Sequence, residues 1–184
     1  MPKPEKVEQH LRDWLAAEGH DELVAWARVK LGQVNVGHAP GTMTSMTATS
    51  ASPAWAREVM GLGDRENALI PGYTYGFVLT RSKVLVPILS SLKERPKRLW
   101  VEAPAAGATL YHMDAPAQRG HLVRYLALDL PGGQLAPNSN PAEFVLDSFV
   151  HTTKGGERTP FVDVSDTFIA AFGDRAHRFE PAPS

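Results

Sequence analysis

The sequence contains no cysteine, no excess of either charge and no long apolar run. Without cysteine, a disulfide framework, a thiolate nucleophile and a cysteine-bound metal are excluded, so any metal must be held by His, Asp or Glu. The 19 Lys and Arg against 20 Asp and Glu give a net charge of −1, which disfavours nucleic acid and anionic membranes as partners. No stretch approaches the roughly 18 apolar residues that a membrane span requires. We therefore expect a soluble, cytoplasmic protein.

The sequence has enough hydrophobic residues to form one hydrophobic core. The chain has 184 residues, of which 43% are hydrophobic, so we expect a single domain over 1–184. Residues 1–95 are predicted to form N-terminal helices, a loop and supporting strands. Residues 96–168 are predicted to form the β core, and residues 169–184 a tail.

The N-terminal half is predicted to be mostly helical. Val7, Leu11, Trp14 and Leu15 form the stripe of an amphipathic helix over 5–17. The Gly, Pro, Thr, Ser and Met stretch over 35–52 is predicted to be a loop, and its 42–52 part is a candidate substrate lid. The remaining predicted elements are helices over 21–30, 53–60 and 87–94 and a strand over 73–79.

From residue 97 onward the pattern changes to short runs of strand-forming residues broken by turn residues. This spacing favours a sandwich or barrel over alternating strands and helices, and the whole chain is predicted to be α+β. The predicted strands cover 98–103, 108–114, 121–130, 142–151 and 158–165.

Alternation along these strands places polar residues on inward faces. His112 and Asp114 share a face, and their spacing lets them converge on one ion. In the predicted strand 121–130, Arg124 falls on the apolar face. In the strand 142–151, His151 lies on the same side as apolar residues, and in the strand 158–165 Arg158 does so too. Because burying an unpaired charge is costly, these groups need each other, a metal or an anionic ligand.

The order of these residues resembles that of the Fe(II)/2-oxoglutarate-dependent dioxygenases, in the branch of the aspartyl/asparaginyl β-hydroxylases and bacterial proline hydroxylases. A turn containing Gly107 leads into His112-Met-Asp114, as at the entry to that branch's metal site. The run from Arg124 to Pro131 is similar to its arginine-bearing strand. The last part of that branch's pattern is an Asp, three residues and a His, followed by a short loop and an Arg. Here Asp147, His151 and Arg158 resemble it, and the likeness as a whole covers about 84–168.

The resemblance implies a double-stranded β-helix, a jelly-roll or cupin-like core, with N-terminal helices in front of it. It implies that His112, Asp114 and His151 hold Fe(II) as catalytic and metal-binding residues. It also implies that Arg158 and Arg124 bind carboxylates of the co-substrate 2-oxoglutarate or of the substrate, with O2 as the oxidant. The reaction implied is hydroxylation of an amino acid, an amino-acid-like metabolite or an Asp, Asn or Pro side chain.

Two other classes of function remain open. One is a non-catalytic jelly-roll binding or interaction protein, in which the His, Asp and Arg set is vestigial or binds an anion. The other is a cupin-type metalloenzyme that does not use 2-oxoglutarate. The expected partner is a small molecule or a side chain, with no nucleic acid and no membrane, and the sequence does not indicate the oligomeric state.

Overall fold

The computed structural model describes residues 2–30, 59–62, 68–70, 72–116, 122–135, 142–151, 153–154 and 157–180, and for 115–116, 122, 142–151 and 153–154 it describes the backbone. Two helices and ten strands lie within these residues. The helices are α1 (Pro4–Ala17) and α2 (Pro160–Phe172), the latter followed by a 3-10 turn (Gly173–Arg175). The strands are β1 (Leu23–Lys30), β2 (Thr74–Thr80), β3 (Lys83–Leu89), β4 (Pro96–Pro104), β5 (Thr109–Pro116), β6 (Leu122–Leu135), β7 (Ala142–His151), β8 (Thr153–Lys154), β9 (Glu157–Arg158) and β10 (Ala176–Phe179).

Eight of the strands form one curled sheet, in the order β10-β5-β6-β4-β3-β2-β1-β7. Because β6 also pairs with β7, the sheet bends back on itself. The pairs are antiparallel except for the parallel pair of β10 with β5, and β8 pairs with β9 in a separate hairpin. The chain is thus mixed α+β and mostly antiparallel sheet, as the sequence predicts.

At β2, side chains of the two helices lie against opposite faces of the sheet. The ring of Phe168 in α2 lies 6.2 Å from that of Phe77 in β2. The neighbouring residue, Gly76, faces the other way, and a Cβ atom there would lie 3.6 Å from the side chain of Leu11 in α1. This double cover explains why nearly every residue of β2 and β3 is buried.

At β5 and β6 the two faces of the sheet belong to different clusters. Leu126 and Leu128 join the main core, which also contains both helices. Tyr125 and Ala127 join a smaller cluster with residues 59–62 on the other face. Even-numbered and odd-numbered residues of β6 therefore face different surroundings, and this alternation positions the polar residues of the candidate site.

Most of the predicted elements are present. The helix predicted over 5–17 is confirmed as α1, whose buried residues are Val7, Leu11 and Leu15. The strands predicted over 73–79, 98–103, 108–114, 121–130 and 142–151 are confirmed as β2, β4, β5, β6 and β7. The predicted loop over 35–52 and residues 53–58 lie outside the described residues.

Two helices predicted in the N-terminal half are wrong. Residues 23–30 form strand β1. Its Ala, Leu, Arg and Lys residues favour a helix, but pairing with almost the whole of β2 outweighs that preference. Residues 87–89 continue strand β3 instead of starting a helix. The register shifts between Val86 and Pro87, and such a bulge accommodates a residue that has no N–H to donate to the ladder.

The last predicted strand, over 158–165, is also wrong. The strand β9 ends at Arg158, and α2 begins at Pro160, a residue suited to the first turn of a helix. Phe161, Phe168 and Phe172 recur at helical spacing and are buried. Beyond α2, β10 adds to the edge of the sheet next to β5, in a part of the chain that we expected to be a tail. Of the described helices, none is long and apolar enough to cross a membrane.

Candidate functional site

The register of β5 and β6 brings three of the predicted residues together. Asp114 lies directly opposite Arg124, and His112 lies opposite Leu126. Residues that face each other across an antiparallel pair share a face of the sheet, so His112, Asp114 and Arg124 occupy the same face. It is the face of Leu126 and the main core, as alternation along the strands predicts.

Arg124 is buried and uses all three of its guanidinium nitrogens. Its Nε donates to Oδ1 of Asp114 at 2.7 Å, and its Nη2 donates to Oδ2 of the same carboxylate at 3.1 Å. Its Nη1 donates to Oγ of Ser165 at 2.8 Å and to Oδ1 of Asp166 at 2.5 Å. Both oxygens of Asp114 are therefore occupied by the arginine, in the two-pronged geometry that guanidinium and carboxylate favour.

Helix α2 supplies the two partners that the sequence analysis missed. Ser165 is fully buried, accepts from Arg124 and donates its own hydroxyl hydrogen to the carbonyl of Val162 at 2.7 Å. Asp166 is next to it, on the same turn of α2. A strand predicted over 158–165 does not place Ser165 and the following Asp166 on one helical turn facing β6. The signal that finds them is the helical spacing of Phe161, Ser165, Phe168 and Phe172.

The electrostatics of the group follow from Arg124. Burial acts to raise the pKa of Asp114, but the hydrogen bonds and charge of Arg124 outweigh it and hold that pKa below its usual range. Burial lowers the pKa of His112, and the charge of Arg124 lowers it further, against the smaller opposing effect of Asp114. At neutral pH the site therefore contains an ionised Asp114, a charged Arg124 and a neutral His112 imidazole.

Arg158 lies near this group but on the surface. Its Nη2 is 3.0 Å from Oδ1 of Asp163 and 2.9 Å from Oδ2 of Asp166, and its side chain is 58% exposed. The prediction that Arg158 lies on an inward face is wrong, because the chain leaves the strand at Pro160 and the arginine stands on the β8–β9 hairpin, outside the core. Asp166 connects it to Arg124, so the polar network runs from Asp114 out to solvent.

The backbone of His151 does not lie opposite that of Arg124. Its backbone pairs with Val123, which in turn pairs with Ala115. The position opposite Arg124 in β7 is that of Val150. The backbone of His151 is therefore one residue out of step with that of Asp114 along the paired strands. The backbone register gives no side-chain position for His151, so its role as a ligand beside His112 and Asp114 stays a prediction.

No group of three or more His, Asp or Glu side chains with the spacing of a metal site occurs among the residues that the structure describes. His112 and Asp114 supply two such side chains, and the side chain of His151 is not among those described. The assignment of these three residues as an iron site stays a prediction. What the described atoms form is a set of ion pairs between two strands and a helix.

Two cavities in the described part of the chain lie away from the group of Asp114 and Arg124. A groove of about 360 Å³ runs between α1, β1 and α2, with Trp26, Val24 and Val164 along it and Glu8, Arg12 and Asp163 at its rim. A second hollow of about 260 Å³ lies beside Lys83, Glu102 and Pro104. Neither is lined by His112, Asp114 or Arg124.

Comparison with known proteins adds no family to this geometry. No protein-family model matches the chain, and searches of curated proteins and of solved structures likewise find no match.

Proposed function

We propose that this chain is a non-catalytic binding protein, and that the Asp114, Arg124 and Asp166 network is a structural connection between sheet and helix. The observation that carries the proposal is the double hydrogen bond from Arg124 to both oxygens of Asp114. Asp114 is thereby held as an ion-pair partner of the arginine, and four of the five N–H groups of Arg124 donate to groups of the protein itself.

The surroundings of the network support the same proposal. Ser165 and Asp166 are one turn into α2, and their bonds to Arg124 fix this helix against β5 and β6. A buried arginine with several carboxylate and hydroxyl partners is the arrangement expected where a charge has to be kept inside a fold.

The alternative is the Fe(II)- and 2-oxoglutarate-dependent hydroxylase that the sequence resembles, with its double-stranded β-helix. It is favoured by the shared face of His112 and Asp114, two residues apart and both half-buried. In this alternative Asp114 has to leave Arg124 and join His112 and His151 as ligands, while Arg124 and Arg158 bind carboxylates. Iron would then supply the oxidation of an unactivated C–H bond. A cupin-type metalloenzyme also requires Asp114 to leave Arg124, but it binds no 2-oxoglutarate and so gives Arg158 no role.

One experiment separates these functions. The purified chain is titrated with Mn(II), and separately with Fe(II) under anaerobic conditions, in a calorimeter. We expect no binding of either metal.

A second measurement tests the structural role of the pair. We expect Asp114→Asn to lower the free energy of unfolding by about 1–2 kcal/mol, since it weakens a charge-assisted pair. Asp174→Asn, a matched change at an exposed position, should alter it by less than about 0.5 kcal/mol.

The opposite outcome is equally well defined. Stoichiometric metal binding that disappears in His112→Ala and Asp114→Asn but persists in Asp174→Asn would contradict the binding-protein proposal. Succinate formation from 2-oxoglutarate by the metal-loaded chain, across a panel of free amino acids, would then establish the hydroxylase.

A further inference from the structure

Four strands end together at one end of the sheet. Lys30 at the end of β1 pairs with Thr74 at the start of β2, and Thr74 pairs with Leu89 at the end of β3. Leu89 in turn pairs with Pro96 at the start of β4. The turn between β3 and β4, residues 90–95, therefore projects from the same end as the start of β2.

This end of the sheet carries a concentration of positive charge. Lys93, Arg95, Lys97 and Arg98 are all exposed, and none of them forms an ion pair with a carboxylate of the described residues. Arg95 donates to Nε2 of His10 at 3.4 Å, and Arg98 lies over the ring of Trp100. The acidic residue within the same stretch, Glu94, is 2% exposed and paired with Arg28 beneath the turn. Because Glu94 is buried, the exposed charged residues within 93–98 are all cations, although the chain as a whole has a net charge of −1.

Apolar side chains project from the same end. Leu92, at the tip of the turn, is 86% exposed, and Tyr73, just before β2, is 47% exposed. Ile70 is 39% exposed and is held there by its backbone N–H, which donates to the hydroxyl of Tyr75 at 2.9 Å. Leucine is unfavourable in water at such exposure, and tyrosine is a residue enriched at the boundary between a bilayer and water.

The turn is held in one conformation. The N–H of Ser90 donates to the carbonyl of Arg95 at 2.8 Å, and the N–H of Glu94 donates to the carbonyl of Ser90 at 3.0 Å. Glu94 has a φ of 49°, a left-handed conformation that costs energy for a residue with a side chain. The buried ion pair with Arg28 compensates for that strain, so the cations and Leu92 are displayed on a preformed support.

We propose that this basic end, made up of Lys93, Arg95, Lys97 and Arg98 with Leu92 and Tyr73, binds the surface of an anionic lipid bilayer. Its charge complements acidic headgroups, and its apolar side chains are positioned to enter the headgroup region. The surface protrudes, and neither described cavity is part of it. A projecting turn suits a bilayer, whereas an extended peptide or a nucleic acid strand is bound along a groove or platform. This inference does not depend on the role of Arg124.

The test is co-sedimentation of the full chain with vesicles of phosphatidylcholine and phosphatidylglycerol, at low and at high salt. We expect binding to these vesicles that weakens with salt, and no binding to vesicles of phosphatidylcholine alone. Each cation near an anionic surface contributes about fivefold to affinity, so the double variant Lys93→Ser/Lys97→Ser should bind about 25-fold more weakly. Leu92→Ser should lower affinity by about tenfold.

Arg81→Ser is the matched control, because Arg81 is exposed in the turn at the opposite end of β2 and β3. It should bind vesicles within about twofold of the parent chain, since its charge lies away from the membrane. Absence of binding to anionic vesicles at low salt would overturn the proposal, as would an equal loss in Arg81→Ser. Salt-sensitive binding to duplex DNA or to a polyglutamate peptide, without binding to vesicles, would assign the surface to another partner and also overturn it.

Discussion

Two arginines on different strands carry charge into this protein, and their surroundings differ. Arg28 in β1 pairs with one carboxylate, Glu94, whose side chain is 3% exposed and whose Oε2 is buried without a hydrogen-bond partner in the described residues. Arg124 in β6 is shared by Asp114 and Asp166, whose side chains are 40% and 48% exposed. Both arginines contact α2, Arg28 through the ring of Phe161 at 4.9 Å and Arg124 through Ser165.

The difference lies in how easily each carboxylate reaches water if its partner is lost. The carboxylates of Arg124 are open to solvent on one side, so they can be hydrated where they are. Glu94 is enclosed, and it is also held in a left-handed backbone conformation. The pair at Glu94 therefore maintains the shape of a turn, whereas the network of Arg124 joins a helix to a sheet.

The largest effect is expected from Arg28→Met. This change removes the ion-pair partner of the buried Glu94 carboxylate and leaves only the charge of Lys30 to oppose it, which should lower the free energy of unfolding by about 3–5 kcal/mol in urea denaturation. Adding Glu94→Gln to Arg28→Met removes the isolated charge and should recover part of the loss. If Arg28→Met costs less than about 1 kcal/mol, Glu94 reaches water and the contrast between the two arginines does not hold.

A smaller effect is expected from Arg124→Met. Asp114 loses its partner, Asp166 keeps only the exposed Arg158, and the buried Ser165 hydroxyl loses a donor. Both carboxylates remain half-exposed, so the loss should be about 2–3 kcal/mol. The same denaturation measurement serves, with Asp166→Asn as a milder change in the same network. A loss larger than that of Arg28→Met would reverse the order inferred from the exposure of the carboxylates.

The sequence predicts the part of the Arg124 network that follows from alternation within a strand, and it does not predict the part that depends on contacts between distant elements. His112, Asp114 and Arg124 share a face because alternation within a strand is a local property of the backbone. The face of His151 depends on the register of β7 against β6, which a single sequence does not determine, and a slip of one residue exchanges the two faces. Asp166 was missed for a related reason, since its contact with Arg124 joins residues 42 positions apart.

The elements that were wrongly predicted are those in which distant contacts decide. Residues 23–30 have the composition of a helix but are paired with β2, more than 40 positions away in the sequence. Pro87 was interpreted as the start of a helix, and a bulge in the β3–β4 ladder accommodates it instead. Pro160 does start a helix, and there the apolar residues at helical spacing were the deciding signal.

The pH dependence of stability tests the Arg124 network more finely. The pKa of His112 is lowered below its ordinary 6.5, so the unfolded chain binds more protons than the folded chain as the pH falls below that value, and stability falls with it. Asp114, with a pKa below its ordinary 3.8, contributes stability that is present above that value and is lost as the pH falls through its folded pKa.

His112→Gln should therefore reduce the slope of unfolding free energy against pH below 6.5 and leave the slope above pH 7 unchanged. The measurement is denaturation at a series of pH values for the parent chain and the variant. An unchanged slope below 6.5 would mean that His112 is not placed beside Arg124 as described.

The smallest effect is expected from Arg158→Ala, which tests where the Arg124 network ends. Arg158 pairs with Asp163 and Asp166, yet all three side chains are about half exposed or more. Exposed ion pairs contribute little because water and salt screen them, so the free energy of unfolding should change by less than about 0.5 kcal/mol. A loss above about 2 kcal/mol would place Arg158 inside the network, since only a desolvated pair has that effect. Such a loss would also mean that Arg158 is buried, as the arginine that binds the co-substrate in the hydroxylase alternative has to be.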